Sequence, residues 1–252
     1  MLFCLLPFLA QSQTKSWKLV WSDEFEYTGL PDSSKWTEET GGHGWGNNEL
    51  QYYTAGRKEN ARVENGQLII EARKEKKGTN AYTSARLITK GKGDWQYGKI
   101  VVSAKLPSGL GTWPAIWMLG SVRSLEWPDD GEIDIMEHVG FNPGFIHASI
   151  HCKKYNHVMG TQKTDTIYVK DYAEKFHVYS VEWNKDSVKI AIDENIYFSF
   201  ANEKSGYAAW PFDNKMHLLL NVAVGGNWGG QKGVDENIWP RKMEIDYVRV
   251  YQ

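Results

Sequence analysis

Cysteine is scarce in this chain of 252 residues: only Cys4 and Cys152 are present. That excludes a disulfide-stapled scaffold, which a chain this long does not need in order to bury a core. Long apolar runs are also missing. The longest, Leu2 to Ala10, is too short to span a bilayer, so no membrane span is expected. Followed by Gln11-Ser12-Gln13, it predicts a secretory signal peptide over residues 1–16. The usual positively charged n-region is missing, which leaves the natural start of the chain open. Export is the expectation, to the extracellular space or a periplasm, with a mature chain that keeps the single thiol of Cys152, read as a small buried residue. An excess of positive charge is lacking too. With 29 Lys and Arg against 31 Asp and Glu, the net charge of −2 argues against a nucleic-acid partner. The one basic run, Arg73-Lys74-Glu75-Lys76-Lys77, reads as a solvated hairpin tip. Repeats, heptads and low-complexity tracts are absent.

Aromatic residues are abundant instead: 12 Trp and 13 Tyr. A core rich in aromatics explains part of that number. Flat rings with a polar edge also suit the C–H faces of sugars. Short β-branched and aromatic runs, each closed by a turn signal, recur at 67–72, 99–106, 145–152, 177–183, 188–192, 217–224 and 244–251. Several alternate strictly, as Val178, Ser180 and Glu182 do against Tyr179, Val181 and Trp183. Strands so spaced, with a helical piece expected only near 170–175, predict an all-β sandwich of two packed antiparallel sheets. One domain is read from 17 to 252, and a monomer is expected.

The segment Gly131-Glu132-Ile133-Asp134-Ile135-Met136-Glu137 holds the chemistry. Alternation puts Glu132 and Asp134 on one face of a strand. It would then put Met136 on that face and Glu137 in the core, where an unpaired carboxylate is costly. One extra residue, a β-bulge at Ile135-Met136, restores the parity and returns Glu137 to the side of Glu132. Three carboxylates on one open surface suit retaining glycoside hydrolysis, which uses a nucleophile and an acid/base roughly 5 Å apart. Four strand steps separate their backbones by about 13 Å, and side chains leaning inward close much of that gap. Asp134, a like charge between them, raises the proton affinity of its neighbours. A bound cation and a merely polar strand face are the alternatives. Hard cations take six to eight oxygens, and the parity break has no purpose on a plain surface strand.

The same seven residues resemble the active-site signature of glycoside hydrolase family 16, in the bulged Glu-x-Asp-x-x-Glu form of its laminarinase-like branch. Further likenesses follow in order along nearly the whole chain. They are Trp21-Ser22-Asp23-Glu24-Phe25, Gly46-Asn47-Asn48-Glu49-Leu50-Gln51-Tyr52-Tyr53-Thr54, Tyr82-Thr83-Ser84-Ala85-Arg86-Leu87, Trp113-Pro114-Ala115-Ile116-Trp117-Met118-Leu119, Asn221-Val222-Ala223-Val224-Gly225-Gly226-Asn227-Trp228 and Asp246-Tyr247-Val248-Arg249-Val250-Tyr251. The resemblance implies a concanavalin-like β-jelly roll with an open substrate cleft. It implies Glu132 as nucleophile, Glu137 as general acid/base and Asp134 as the helper that orients or shares a proton with the nucleophile. It also implies sugar contacts at Asn48, Arg86, Trp113, Trp117, Trp127 and Trp228.

Any single Trp serves a core equally well, although Trp127, before Pro128-Asp129-Asp130-Gly131, belongs to a loop. Arg86 needs a partner, either substrate or a neighbouring Glu. His147, Ser149 and His151 share the cleft face of the next strand, and His151 is a candidate for substrate contact or a structural hydrogen bond. Four residues apart on a strand, the two His cannot chelate one zinc. No cofactor is expected for catalysis. The resemblance adds one structural calcium ion, held by Asp246 with the backbone carbonyls of Glu24 and Gly66.

The expected activity is endo-hydrolysis of β-1,3-glucan such as laminarin, mixed-linkage β-1,3-1,4-glucan, or both. An agarase-like galactan hydrolase is one alternative. A non-catalytic carbohydrate-binding jelly roll is the other, and it would be expected to have lost one of the three carboxylates.

Overall fold

A computed structural model describes residues 16–252; the apolar stretch 2–10 and Cys4 lie outside the described residues. Two sheets account for nearly all of the regular structure. The first has ten strands, numbered in chain order. Its path is β16 (Asn195–Ala201), β15 (Ser187–Ile192), β14 (His177–Trp183), β9 (Gly98–Lys105), β18 (Arg241–Tyr251), β5 (Gln67–Lys77), β6 (Asn80–Ser84) and β3 (Gln51–Tyr53). β1 (Leu19–Asp23) adds to β18, and β4 (Ala61–Glu64) to β5. The second sheet runs β13 (Lys163–Tyr168), β12 (Phe145–His151), β11 (Glu132–His138), β10 (Thr112–Gly120), β17 (Met216–Val224), β7 (Arg86–Ile88) and β2 (Thr37–Glu38). β8 (Asp94–Trp95) pairs with β17.

The inward rows of both sheets form one core that joins Ile133, Ile135 and Met136 to Val102, Tyr179, Val181 and Trp183. Each fully buried aliphatic side chain contributes about 1.5–3 kcal/mol. β17 is buried along its whole length, because its second face lies under the site rather than in water. Among the described residues no helix is long and apolar enough to cross a membrane.

The all-β sandwich is therefore observed, with three local corrections. The pairing of β3 with β6 is parallel, so the sheets are not wholly antiparallel. Residues 171–175 form a single turn, closed by N–H groups of Glu174 and Lys175 on the Asp171 carbonyl, in place of a helix. The helical turns are instead Gly226–Gly229 (α1) and the 3₁₀ turn His157–Met159. Arg73 to Lys77 is more than a hairpin tip: β5 continues through Lys77, which pairs with Asn80 across the turn into β6. Three of its charges are paired, Arg73 with Glu71, Lys74 with Glu236 and Glu75 with Arg57, and pairing lets an alternating charged run extend a strand.

Candidate active site

Strand β11 carries the three carboxylates, and its register shows how. Against β12, Asp134 faces Ser149 and Glu137 faces His147, so three residues of β11 span two of β12. Against β10 the register shifts at the same place, from Met136 opposite Ile116 to Asp134 opposite Trp117. This is the expected bulge. Ile133, Ile135 and Met136 are all fully buried, and the extra residue leaves Glu132, Asp134 and Glu137 on the face turned away from the core. Gly131 starts the strand at φ 85°, and a Cβ there would stand 2.7 Å from the Pro211 ring. Only glycine fits that entry.

The two Glu are gripped from different directions. Trp127 donates its indole N–H to Glu132 Oε2 at 2.9 Å. Trp113 donates to Glu137 Oε1 at 3.0 Å. Asp134, almost wholly buried, lies 3.2 Å from His151 Nε2, which is also 3.7 Å from Glu132 Oε1. Burial raises all three carboxylates to about 8. Burial is the largest cause for each Glu, and the charge of Asp134 adds to it. Each Glu is also drawn down by its Trp N–H and by the His151 imidazole, and pushed up by one further carboxylate, Glu137 beside Glu132 and Glu49 beside Glu137. With both near 8, one can be ionised while the other holds its proton, as retaining hydrolysis requires.

The remaining sequence-predicted residues fall into place around this strand. Trp117 is half-buried on the same face and donates to Asn221 Oδ1 at 2.7 Å. Arg86 lies between the rings of Trp45 and Trp117, 4.7 and 4.8 Å from their centroids, and its Nε pairs with Glu39 at 2.6 Å. Its partner in the free protein is thus a Glu. Asn48, in the left-handed conformation that Asn tolerates, donates to Asn227 Oδ1 at 2.8 Å. Trp228 meets Trp113 edge-on at 5.6 Å and His147 at 4.9 Å. Trp127 is the most open of the predicted aromatics, 39% exposed. Cys152 is fully buried.

Sequence reading missed several members. Glu49 accepts hydrogen bonds from Gln51 and Tyr53, and the Tyr53 hydroxyl accepts one from Asn221. This chain of contacts ends on Trp117. His157 packs 4.9 Å from Trp127 and 5.3 Å from His151. Glu49, Gln51 and Tyr53 stood within a recognised motif, and a charged residue in an otherwise strand-like run was the available signal. His157 carried no such signal.

Glu24, Gly66 and Asp246 gather elsewhere. Along one edge of β18, β5 pairs as far as Ile245 and β1 pairs from Val248. On the other edge the register with β9 skips Asp246. Asp246 therefore sits exposed where two strands part, with Glu24 just after β1 and Gly66 in the turn before β5. The Glu24 carboxylate is engaged by Arg249, so the backbone carbonyl is the oxygen that Glu24 would offer an ion. One carboxylate and two carbonyls fit a hard cation that completes its shell with water. Among the described residues, one His and acid cluster lies close enough to ligate an ion through side chains: Glu132, Asp134 and His151. It coincides with the carboxylate strand itself.

Known proteins resemble this chain in sequence and fold. A β-glucanase of Rhodothermus marinus is 54% identical over 244 residues, covering 94% of this chain and 85% of that protein. The X-ray structure of the laminarinase from Rhodothermus marinus superposes with a TM-score of 0.93 at 53% identity, covering 94% of this chain and 98% of that one. A mutant of SCLam, described as a non-specific endo-β-1,3(4)-glucanase from family GH16, was co-crystallised with 1,3-β-D-cellotriosyl-glucose. It superposes with a TM-score of 0.92 at 51% identity, covering 95% of this chain and 96% of that one. The family model for glycosyl hydrolases family 16 matches residues 48–249. With the bulged carboxylate strand at its centre, the chain belongs to glycosyl hydrolase family 16.

Proposed function

We propose that this protein is a retaining endo-β-glucanase that cleaves β-1,3-glucan and accepts mixed-linkage β-1,3-1,4-glucan. The observation that carries the reading is the pair Glu132 and Glu137. They stand on one face of one bulged strand, each held by the N–H of a different Trp. Glu132 attacks the anomeric carbon while Glu137 protonates the departing glycosidic oxygen. Water, deprotonated by Glu137, then attacks the glycosyl–enzyme ester and releases Glu132. Asp134, between them, raises the proton affinity of both Glu. His151 stabilises whichever neighbouring carboxylate is ionised.

Trp117, Trp127, Trp228 and Trp113 offer ring faces to sugars. Arg86 and Asn48 offer donors at the edge of the same face. The relatives named for β-glucans support the substrate class, and the intact set of three carboxylates favours turnover over sugar binding alone. Product analysis on laminarin, barley β-glucan and agarose tests the reading. Oligosaccharides from the first two, with an early fall in viscosity, are expected. Release from agarose alone would sink it.

The apolar stretch 2–10 supports export, tested by fractionating cells that express the full sequence. The oxygen donors of Asp246, Glu24 and Gly66 support one structural calcium ion remote in sequence from the carboxylates, with a role in holding the strand ends together rather than in catalysis.

A further inference from the structure

Strand β11 divides the open face of its sheet. The sugar contacts proposed above, apart from Trp127 and His151, come from the β10–β17–β7 side and its loops. The opposite half, β12 and the edge strand β13, has surface features of its own. At the level of the carboxylates its floor is small and hydroxylated: Ser149 lies between Asp134 and Thr164, and His147 between Glu137 and Thr166. Ser149 donates to Thr164 Oγ1 at 3.0 Å, and the Thr164 hydroxyl donates in turn to the Ala148 carbonyl at 2.9 Å, which leaves it one lone pair with which to accept.

Two residues beyond His147 the character changes. Phe145 faces Tyr168 across the strands. Their rings pack 5.2 Å apart, yet they remain 41% and 60% exposed. Alternation along β12 sets Phe145 on the same face as His147, Ser149 and His151. The Tyr168 ring is also held in place from behind. A Cβ on Gly144, which has φ 83°, would come within 2.6 Å of it, so glycine leaves room for the ring against the backbone. Single exposed apolar side chains are ordinary on a protein surface. Here two large rings are fixed side by side, on the catalytic face and at the end of a hydroxyl-lined floor. By strand geometry Phe145 is about 8 Å and Tyr168 about 12 Å from the backbone of Glu137, within reach of a short oligosaccharide that passes the carboxylates.

We propose that Phe145 and Tyr168, with Thr164 and Thr166, form a distal sugar subsite on the β12–β13 half of the cleft. It takes a neutral pyranosyl ring of the same glucan chain: C–H faces rest on the aromatic pair, and ring hydroxyls bond to the two Thr. The proposal rests on the glucanase reading and extends it, because it makes the enzyme's efficiency depend on chain length. Stacking, not the phenol group, supplies the binding, so the ring matters and the hydroxyl does not.

The test compares wild type, Tyr168→Phe, Tyr168→Ala and the double variant Phe145→Ala/Tyr168→Ala on laminarin and on a series of β-1,3-gluco-oligosaccharides. Circular dichroism and melting curves confirm that each is folded. The expected result is a loss of kcat/KM in the double variant on the order of tenfold on laminarin, shrinking steadily as the chain shortens. Tyr168→Ala should lose part of this, and Tyr168→Phe, which keeps the ring, should recover most of what Tyr168→Ala loses. The cleavage pattern of the longest oligosaccharides should shift toward positions that no longer use this half of the cleft. A folded double variant whose kcat/KM matches wild type at every chain length overturns the subsite. So does a uniform loss at all lengths, which a purely structural role would give. A wild-type protein inert on all these glucans overturns the glucanase reading itself, a distinguishable result.

Discussion

Trp127 reaches Glu132 with its indole N–H at 2.9 Å, from a loop position five residues earlier in the chain. Trp113 does the same for Glu137 from the neighbouring strand. A donated hydrogen bond favours the ionised carboxylate, and both bonds lower the values that burial has raised. Removing either donor therefore moves its own Glu upward. In Trp127→Phe the acidic limb of the kcat/KM profile, where the nucleophile must be ionised, should move to higher pH. In Trp113→Phe the alkaline limb, where the acid must be protonated, should do so instead. Loss of the Trp127 bond to the ionised Glu132 should cost about 10- to 100-fold in kcat/KM. Limbs that move the other way round would reverse the assigned roles of Glu132 and Glu137.

Glu132→Gln should keep the fold and lose turnover by about 10⁴-fold or more. Its stability carries a second signal. A carboxyl raised from 4.5 to about 8 on folding holds its proton in the native state while the unfolded chain has lost it. Between those values the native state binds more protons, so stability falls as pH rises. The amide cannot ionise and removes that slope. The melting temperature of Glu132→Gln relative to wild type should therefore climb by a few degrees from pH 5 to pH 8. A constant difference across that window would show that Glu132 is not raised in the native protein.

That strand was the most legible part of the sequence, for a physical reason. Parity along a strand is strict, and a carboxylate turned into the core costs several kcal/mol. Glu137 and the apolar pair Ile135-Met136 therefore admitted one arrangement, which the register shows. The long alternating strands, such as His177–Trp183, were equally plain. Short strands were not: Thr37–Glu38 and Asp94–Trp95 have two residues each, too few to show a period. The parallel pairing of β3 with β6 depends on where the chain returns, which local pattern does not encode. The support beneath Trp117 was hidden for the same reason. Its links from Trp117 to Asn221 and from Asn221 to Tyr53 span 104 and 168 residues. His157 joined the site only because a 3₁₀ turn, capped by Asn156, lays it beside Trp127.

Calcium offers a test away from the carboxylates. If Asp246, with the carbonyls of Glu24 and Gly66, holds an ion, excess chelator should lower the melting temperature by several degrees, and added calcium should restore it. Asp246→Ala should melt at the chelated temperature and ignore calcium. Residual activity below the transition should be unchanged in both cases, since no ligand reaches substrate. Superimposable melting curves with and without chelator would remove the ion from the account.

The bulge gives the last test, because it separates parity from sequence. Deleting Met136 leaves Glu-x-Asp-x-Glu, a regular strand in which the two Glu still alternate onto one face. The register beyond the deletion also survives, since two residues of β11 would then span the two of β12 that three span now. What is lost is a fully buried side chain, at a cost of about 2–5 kcal/mol. The variant should therefore melt well below wild type and yet follow the same stereochemical course. Proton NMR in the first minutes of laminarin hydrolysis reads that course. Retention demands the β-anomer first from both proteins, because a covalent glycosyl–enzyme inverts the anomeric carbon twice. An α-anomer appearing first from wild type would mean that water attacks directly, and Glu132 would then have to be the base that activates it rather than the nucleophile. A deletion variant that melts like wild type would contradict the packing instead, since Met136 could not then be filling the core.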